Sequence, residues 1–158
     1  MKKIKILIPV YNDWQSVSIL LKNIDLQIND LKHEFSVLII NDASNEERPD
    51  NIGDFNNLKS IEVVNMMENR GHARCNAAGL KYINEQNNFD YIIPMDGDGE
   101  DRPEELKLLI EKIKDYPDKV ITANRVKRSE GIFFKFCYLI HKYLTFFFTG
   151  QSIKFGNY

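Results

Sequence analysis

The stretch YIIPMDGDGEDRPEEL, Tyr91 to Leu106, sets an apolar run directly before Asp96, Asp98, Glu100 and Asp101, and Pro103 then opens a helix. Carboxylates this close repel one another at neutral pH, so a counter-charge is required. Oxygen donors of this kind suit a hard divalent cation, Mg²⁺ or Mn²⁺. Gly97 and Gly99 remove side-chain bulk between the acids and open backbone angles that other residues avoid, so a phosphate group can approach the same ion. The expectation is a metal site for a nucleotide diphosphate at the carboxyl end of a parallel strand. An EF-hand loop does not fit: counted from Asp96, its Gly position holds Asp101 and its final Glu position holds Lys107. A phosphatase aspartate lacks a supporting site of its own. A plain acidic turn capping a helix is the competing explanation.

The same apolar-run-then-polar-loop pattern recurs upstream. Ile4–Val10 ends at Pro9-Val-Tyr-Asn, Phe35–Ile40 ends at Asn41-Asp-Ala-Ser, and Ile61, Val63 and Val64 precede Asn69-Arg-Gly. Between them, Trp14, Val17, Leu20, Leu21, Ile24 and Ile28 recur at helical spacing, and a helix rich in small residues follows Gly71, with Ala73, Ala77 and Leu80 on one face. Phe89–Ile93 reads as the fourth strand, with Pro94 ending or bulging it, and Val120–Ala123 as a fifth. Leu106, Leu109, Ile110 and Ile113 mark a further helix, with Glu104 and Glu105 at its start and Pro117 beyond its end. Alternating strands and helices make the fold α/β with a mostly parallel sheet, in which ligands bind beyond the carboxyl ends of the strands. The polar stretches all lie at those ends.

Composition narrows the classes. At 158 residues the chain suits one domain; 43% hydrophobic and 28% charged residues describe an ordinary globular protein, and a net charge of −2 gives no case for nucleic-acid binding. Cys75 and Cys137 belong to no CxxC pair, which argues against zinc or a disulfide framework and suits a reducing compartment. The amino terminus is interrupted too early for a signal peptide.

IPVYND, IINDAS, NRGHARCNAAGL and MDGDGEDRPEEL, in this order, resemble the nucleotide-sugar half of a family 2 glycosyltransferase, most closely the polyprenyl-phosphate, dolichyl-phosphate-mannose synthase-like branch. The resemblance implies a GT-A, Rossmann-like α/β/α sandwich over residues 1–131, with 132–158 beginning an acceptor-side region of the same domain. It implies a nucleotide-diphosphate sugar as donor, and an acceptor that is a polyprenyl phosphate or other membrane lipid in cell-envelope assembly. Asp98, Glu100 and Asp96 are then the metal and catalytic residues, with Asp96 also near the ribose. Pro9, Tyr11, Asp13, Asn41 and Asp42 line the base and ribose pocket, and Arg70 and Arg74 stand beside the phosphates. Where the family shows two aspartates this chain has Asn41-Asp42, so either one reads the base. Asp13 has an equally good explanation as a helix cap, and Arg74 as a surface residue. His72 is read as structural or phosphate-adjacent rather than as a metal ligand.

No general base is visible, and a phosphate acceptor needs none. Arg125, Lys127 and Arg128 are candidates for the acceptor phosphate or anionic lipid heads, against a solvated basic turn. Ile132–Gly150 is aromatic, with Lys135, Tyr138, Lys142, Thr145 and Thr149 on one stripe; it reads as an interfacial membrane helix or as a helix packed on the domain, and places the protein at the cytoplasmic face of the membrane. Ile153–Tyr158 resembles the start of a strand in a family whose chains continue, so a truncated piece is expected. The alternative function is a nucleotide-binding or regulatory module, inactive as this fragment. Sugar, base and oligomeric state are not specified.

Overall fold

The computed structural model describes residues 1–122 and 132–150, which fall into two compact units divided at Ile121 and Thr122. The first unit is built on four parallel strands: β1 (Lys3–Val10), β2 (Glu34–Asn41), β3 (Leu58–Asn65) and β4 (Tyr91–Pro94), in the spatial order β3-β2-β1-β4. β1, first in the chain, is central, and its Ile4–Ile8 stretch is buried on both faces.

Helix α1 (Trp14–Gln27) starts where Asp13 accepts the Ser16 N–H at 3.2 Å, and it buries Trp14, Val17, Leu20, Leu21 and Ile24 along one stripe. With α3 (Leu106–Asp115), which buries Leu106 and Ile110, it covers the sheet face carrying Ile4, Ile6, Ile8, Val37 and Ile39. A 3₁₀ turn, Pro103–Glu105, leads into α3; the acids Glu104 and Glu105 at its start and Lys112 and Lys114 at the end of α3 complement the helix dipole. Helix α2 (His72–Gln86) covers the opposite face, over Leu7, Leu38 and Ile40. The result is the expected three-layer α/β/α sandwich.

Three local expectations change. The face that α2 buries is Cys75, Gly79 and Ile83, whereas Ala73, Ala77 and Leu80 are exposed. Gly79 is on the buried face because a Cβ there would overlap the Leu7 side chain, so the helix rides close on the sheet. The fourth strand starts at Tyr91 rather than Phe89; Pro94 ends it, as expected, without a bulge and in register with Leu7. The Met95 N–H donates to the Leu7 carbonyl at 2.9 Å, so by alternation the Pro94 nitrogen faces away from β1, where no described strand lies. Finally, residues 120–122 form no strand and Val120 is 92% exposed, while Ala123 lies outside the described residues.

In the second unit, α4 (Ile132–Thr149) is a single helix. Among the described residues no helix is long and apolar enough to cross a membrane. Phe136, Tyr143, Phe146, Phe147 and Phe148 are exposed, as is Lys142, whereas Tyr138 and Thr145 on its polar stripe are partly sheltered.

Candidate functional site

From β1 the chain steps outward to β2 and β3, then returns to the other side of β1 for β4. Such a reversal opens a crevice beyond the carboxyl ends of the two strands that flank it. The crevice is there: a cleft of about 210 Å³ lined by Pro9 near the end of β1, by Tyr11 and Asp13 beyond it, by His72 at the start of α2, and by Asp96, Gly97 and Asp98 after β4.

The floor is shaped by backbone contacts. A Cβ on Gly97 would stand 3.0 Å from the Pro9 carbonyl oxygen and 3.2 Å from the Val17 side chain, so only glycine lets the acidic loop lie against β1. Gly99 adopts φ +82°, the left-handed angle that the sequence anticipated. Asp101 accepts the Asp96 N–H at 2.9 Å, and Asp98 accepts the Glu100 N–H at 2.9 Å, so the loop folds on its own carboxylates. Burial pushes the Asp96 carboxyl above its ordinary pKa; His72 opposes this, and Asp101, Asp98 and Glu100 push it further up. His72 Nε2 lies 3.4 Å from Asp96 Oδ1 and 2.9 Å from Asn76 Nδ2.

Asp96 and Asp98 both reach the cleft, whereas Glu100 is exposed and is not among its lining residues. Among the described residues no three of His, Cys, Asp and Glu are gathered tightly enough to cage an ion. The donor set still suits Mg²⁺ or Mn²⁺: such ions are commonly held by one or two carboxylates, with substrate phosphates and water completing the shell. Asp96 and Asp98 are the residues that would hold it.

Asn41 and Asp42 make contacts within the protein. Asp42 is 4% exposed, and its two oxygens accept the Arg70 and Gly71 N–H groups at 2.8 Å each. It thus supplies the anion that the start of α2 lacks, since Gly71 at the cap has no side chain to offer. Asn41 donates to Asn65 Oδ1 at 2.9 Å and accepts the Ser44 N–H at 3.0 Å. The Arg70 guanidinium pairs with Glu68, and Arg74 is exposed in the first turn of α2. None of these four lines the cleft. Arg125, Lys127 and Arg128 lie outside the described residues.

Two residues carry more than their sequence signal suggested. Asn12, at φ +53°, accepts the Asn45 and Glu46 N–H groups at 2.7 and 3.1 Å, tying the loop after β1 to the loop after β2. Asn is among the few side chains that tolerate this angle, which was the available clue. Cys75 is fully buried under α2, which pushes its thiol up to about 11, so it is no nucleophile.

Comparison with known proteins agrees with this geometry. Residues 5–157 match the model of "Glycosyl transferase family 2". Two similar curated proteins are undecaprenyl-phosphate 4-deoxy-4-formamido-L-arabinose transferases of Klebsiella pneumoniae, 31% and 30% identical over 136 residues. Those matches take in 85% of this chain, which spans 40% of the length of each relative. Among solved structures, Staphylococcus aureus TarS 1–349 superposes with a TM-score of 0.58 at 21% identity over 80% of this chain and 39% of its own. Its complex with UDP-GlcNAc does so at 0.55, 21% identity, 80% and 37%. The superpositions show the fold, an α/β sandwich of the GT-A kind. With its switch-point cleft, its Asp-x-Asp loop and a family match running almost end to end, the chain belongs to glycosyl transferase family 2.

Proposed function

We propose that this chain forms the donor half of an enzyme that moves a glycosyl group from a nucleotide-diphosphate sugar to a polyprenyl phosphate or similar lipid acceptor. The bond from the anomeric carbon to the diphosphate breaks, a bond to the acceptor oxygen forms, and the nucleoside diphosphate leaves. The observation that carries the reading is the convergence of Asp96 and Asp98 on one cleft at the switch point of a parallel sheet. Asp96 and Asp98 would hold a Mg²⁺ or Mn²⁺, which would offset the charge that grows on the leaving diphosphate.

The chain's own residues do the rest. Pro9, Tyr11 and Asp13 line the same cleft and are the proposed contacts of the nucleoside. Gly97 keeps the floor low enough for a phosphate beside the carboxylates, and Glu100 is the proposed third ligand of the metal. Asn41 and Asp42 hold the loops around the cleft, and Arg70 and Arg74 are the proposed cations beside the nucleotide's phosphates. The lipid acceptor is supported by the printed activity of the Klebsiella relatives. Its phosphate is already an anion, so no base has to remove a proton, and Arg125, Lys127 and Arg128 are its proposed contacts. Exposed aromatic side chains on α4 support work at a membrane surface, and the cytoplasmic face is the proposed location.

Titration calorimetry with UDP-, GDP- and dTDP-sugars, with and without Mn²⁺, tests the reading. Asp98→Ala is expected to remove the Mn²⁺-dependent part of nucleotide affinity. Equal affinity and equal Mn²⁺ dependence in the variant would overturn the metal assignment.

A further inference from the structure

A second cavity, of about 200 Å³, opens at the opposite pole of the sheet, below the amino-terminal ends of β1, β2 and β3. Its lining includes Lys3, Lys5 and Lys59 with the hydroxyls of Ser36 and Ser60. Pairing explains the arrangement: Lys5 is in register with Ser36, and Ser36 with Ser60, so the three side chains form one row on the α2 face.

Lys5 is the anomaly in this row. It is 7% exposed, yet among the described residues no carboxylate lies within ion-pair distance of it, and its ammonium donates to the neutral Gln86 Oε1 at 3.2 Å. A buried ammonium has three donors to satisfy and is costly to leave without a counter-charge. The one carboxylate in the lining, Glu34, is taken by Lys59 at 2.8 Å. Three ammonium groups and one carboxylate therefore line the cavity beside two hydroxyls able to donate; outside the lining, Asp90 attracts Lys3, and Glu62 accepts from the Gln86 amide at 3.4 Å. The volume admits several waters at about 30 Å³ each, hence a small oxyanion with part of its hydration shell.

We propose that this cavity is a binding site for a phosphate-type oxyanion, inorganic phosphate or a phosphomonoester group, held by Lys5 and Lys3 with Ser36 and Ser60. It is remote from the cleft and does not depend on the proposed sugar transfer. Tetrahedral oxyanions present several acceptors at once, which matches donors spread over three strands better than a single carboxylate would.

Amide chemical shifts of the whole protein, followed during titration with inorganic phosphate at constant ionic strength, test the proposal. The expected result is saturable movement at Lys5, Ser36 and Ser60 in roughly the millimolar range. Lys5→Met should weaken it about tenfold or more, and Ser36→Ala and Lys3→Gln severalfold, through loss of charge-assisted bonds. A parallel titration with methyl phosphate separates the two sources: equal or tighter binding points to a phosphomonoester, weaker binding to free phosphate. Because Lys5 is buried, the Ser36→Ala and Lys3→Gln variants carry the test if Lys5→Met fails to fold. Absence of saturable shifts here, shifts confined to residues 96–101, or affinity unchanged in every folded variant overturns the proposal. Lys5 is then a cation that merely complements the carboxyl end of α2.

Discussion

Asp42 has a structural duty that the sequence did not announce, beside the base contact expected of it. Its place at the end of β2 pointed to a base contact, because ligands gather there. Within the protein its partners are the Arg70 and Gly71 N–H groups, on a loop far along the chain that no local pattern links to it. Replacing the carboxylate by an amide leaves one acceptor oxygen and turns an NH₂ donor toward an N–H. Asp42→Asn is therefore expected to cost about 2 kcal/mol of stability, through one lost charge-assisted bond and one buried donor left unmet. Denaturant unfolding measures this. A variant with unchanged stability but weaker nucleotide affinity would return Asp42 to the base. Asp96 and Asp98 were readable for the opposite reason: the acids, the glycines and the strand before them are contiguous, so the sequence itself draws the loop.

At the scale of elements, periodicity located strands and helices but not every face they bury. α2 was read from its alanines, and the sheet selects instead the residues small enough to sit on Leu7. The joint between α1 and β3 was invisible for a similar reason. Asp25, on the buried side of α1, accepts the N–H groups of Asn56, Asn57 and Leu58 and so starts β3. Burial pushes its carboxyl up, but the bonds from Asn57, Leu58 and Asn56 outweigh this and hold it below the ordinary 3.8. A depressed carboxyl stabilises fully above its unfolded value, and that contribution is lost as pH falls through the folded one. Asp25→Ala should thus cost about 2–4 kcal/mol at neutral pH, with donors left unsatisfied, and the gap to the parent should narrow in acid. A gap independent of pH below 4 would mean that packing, not charge, is what Asp25 supplies. Helix α4 is tested with vesicles: an interfacial helix requires anionic lipid and lets go as salt rises. Co-sedimentation should fall when Lys142 is made glutamate. Protein left in the supernatant with anionic vesicles at low salt removes the membrane reading.

For the molecule as a whole, parallel pairing followed from alternation, the layer order from the family resemblance, and the cleft from the carboxyl-end rule. The reversal that puts β4 beside β1 could not be read, because nothing in residues 91–94 names a neighbour; the same apolar run would pair equally well outside β3. That reversal has a kinetic consequence. Strand β1 is made first yet completes its pairing last: Ile4 meets Phe35 through one short crossover, but meets Tyr91 only after β2, β3 and α2 exist. The longer closure costs about 0.9 kcal/mol more in chain entropy, so the β1–β2 pair should belong to the folding nucleus and β4 should dock afterwards. In a chevron plot, Ile39→Val is expected to slow folding, while Ile93→Val chiefly speeds unfolding. Equal effects on both arms would dissolve the order. While β4 is still absent, the Ile4–Leu7 edge stands open as a template for another chain's strand, so refolding yield should decline as protein concentration rises.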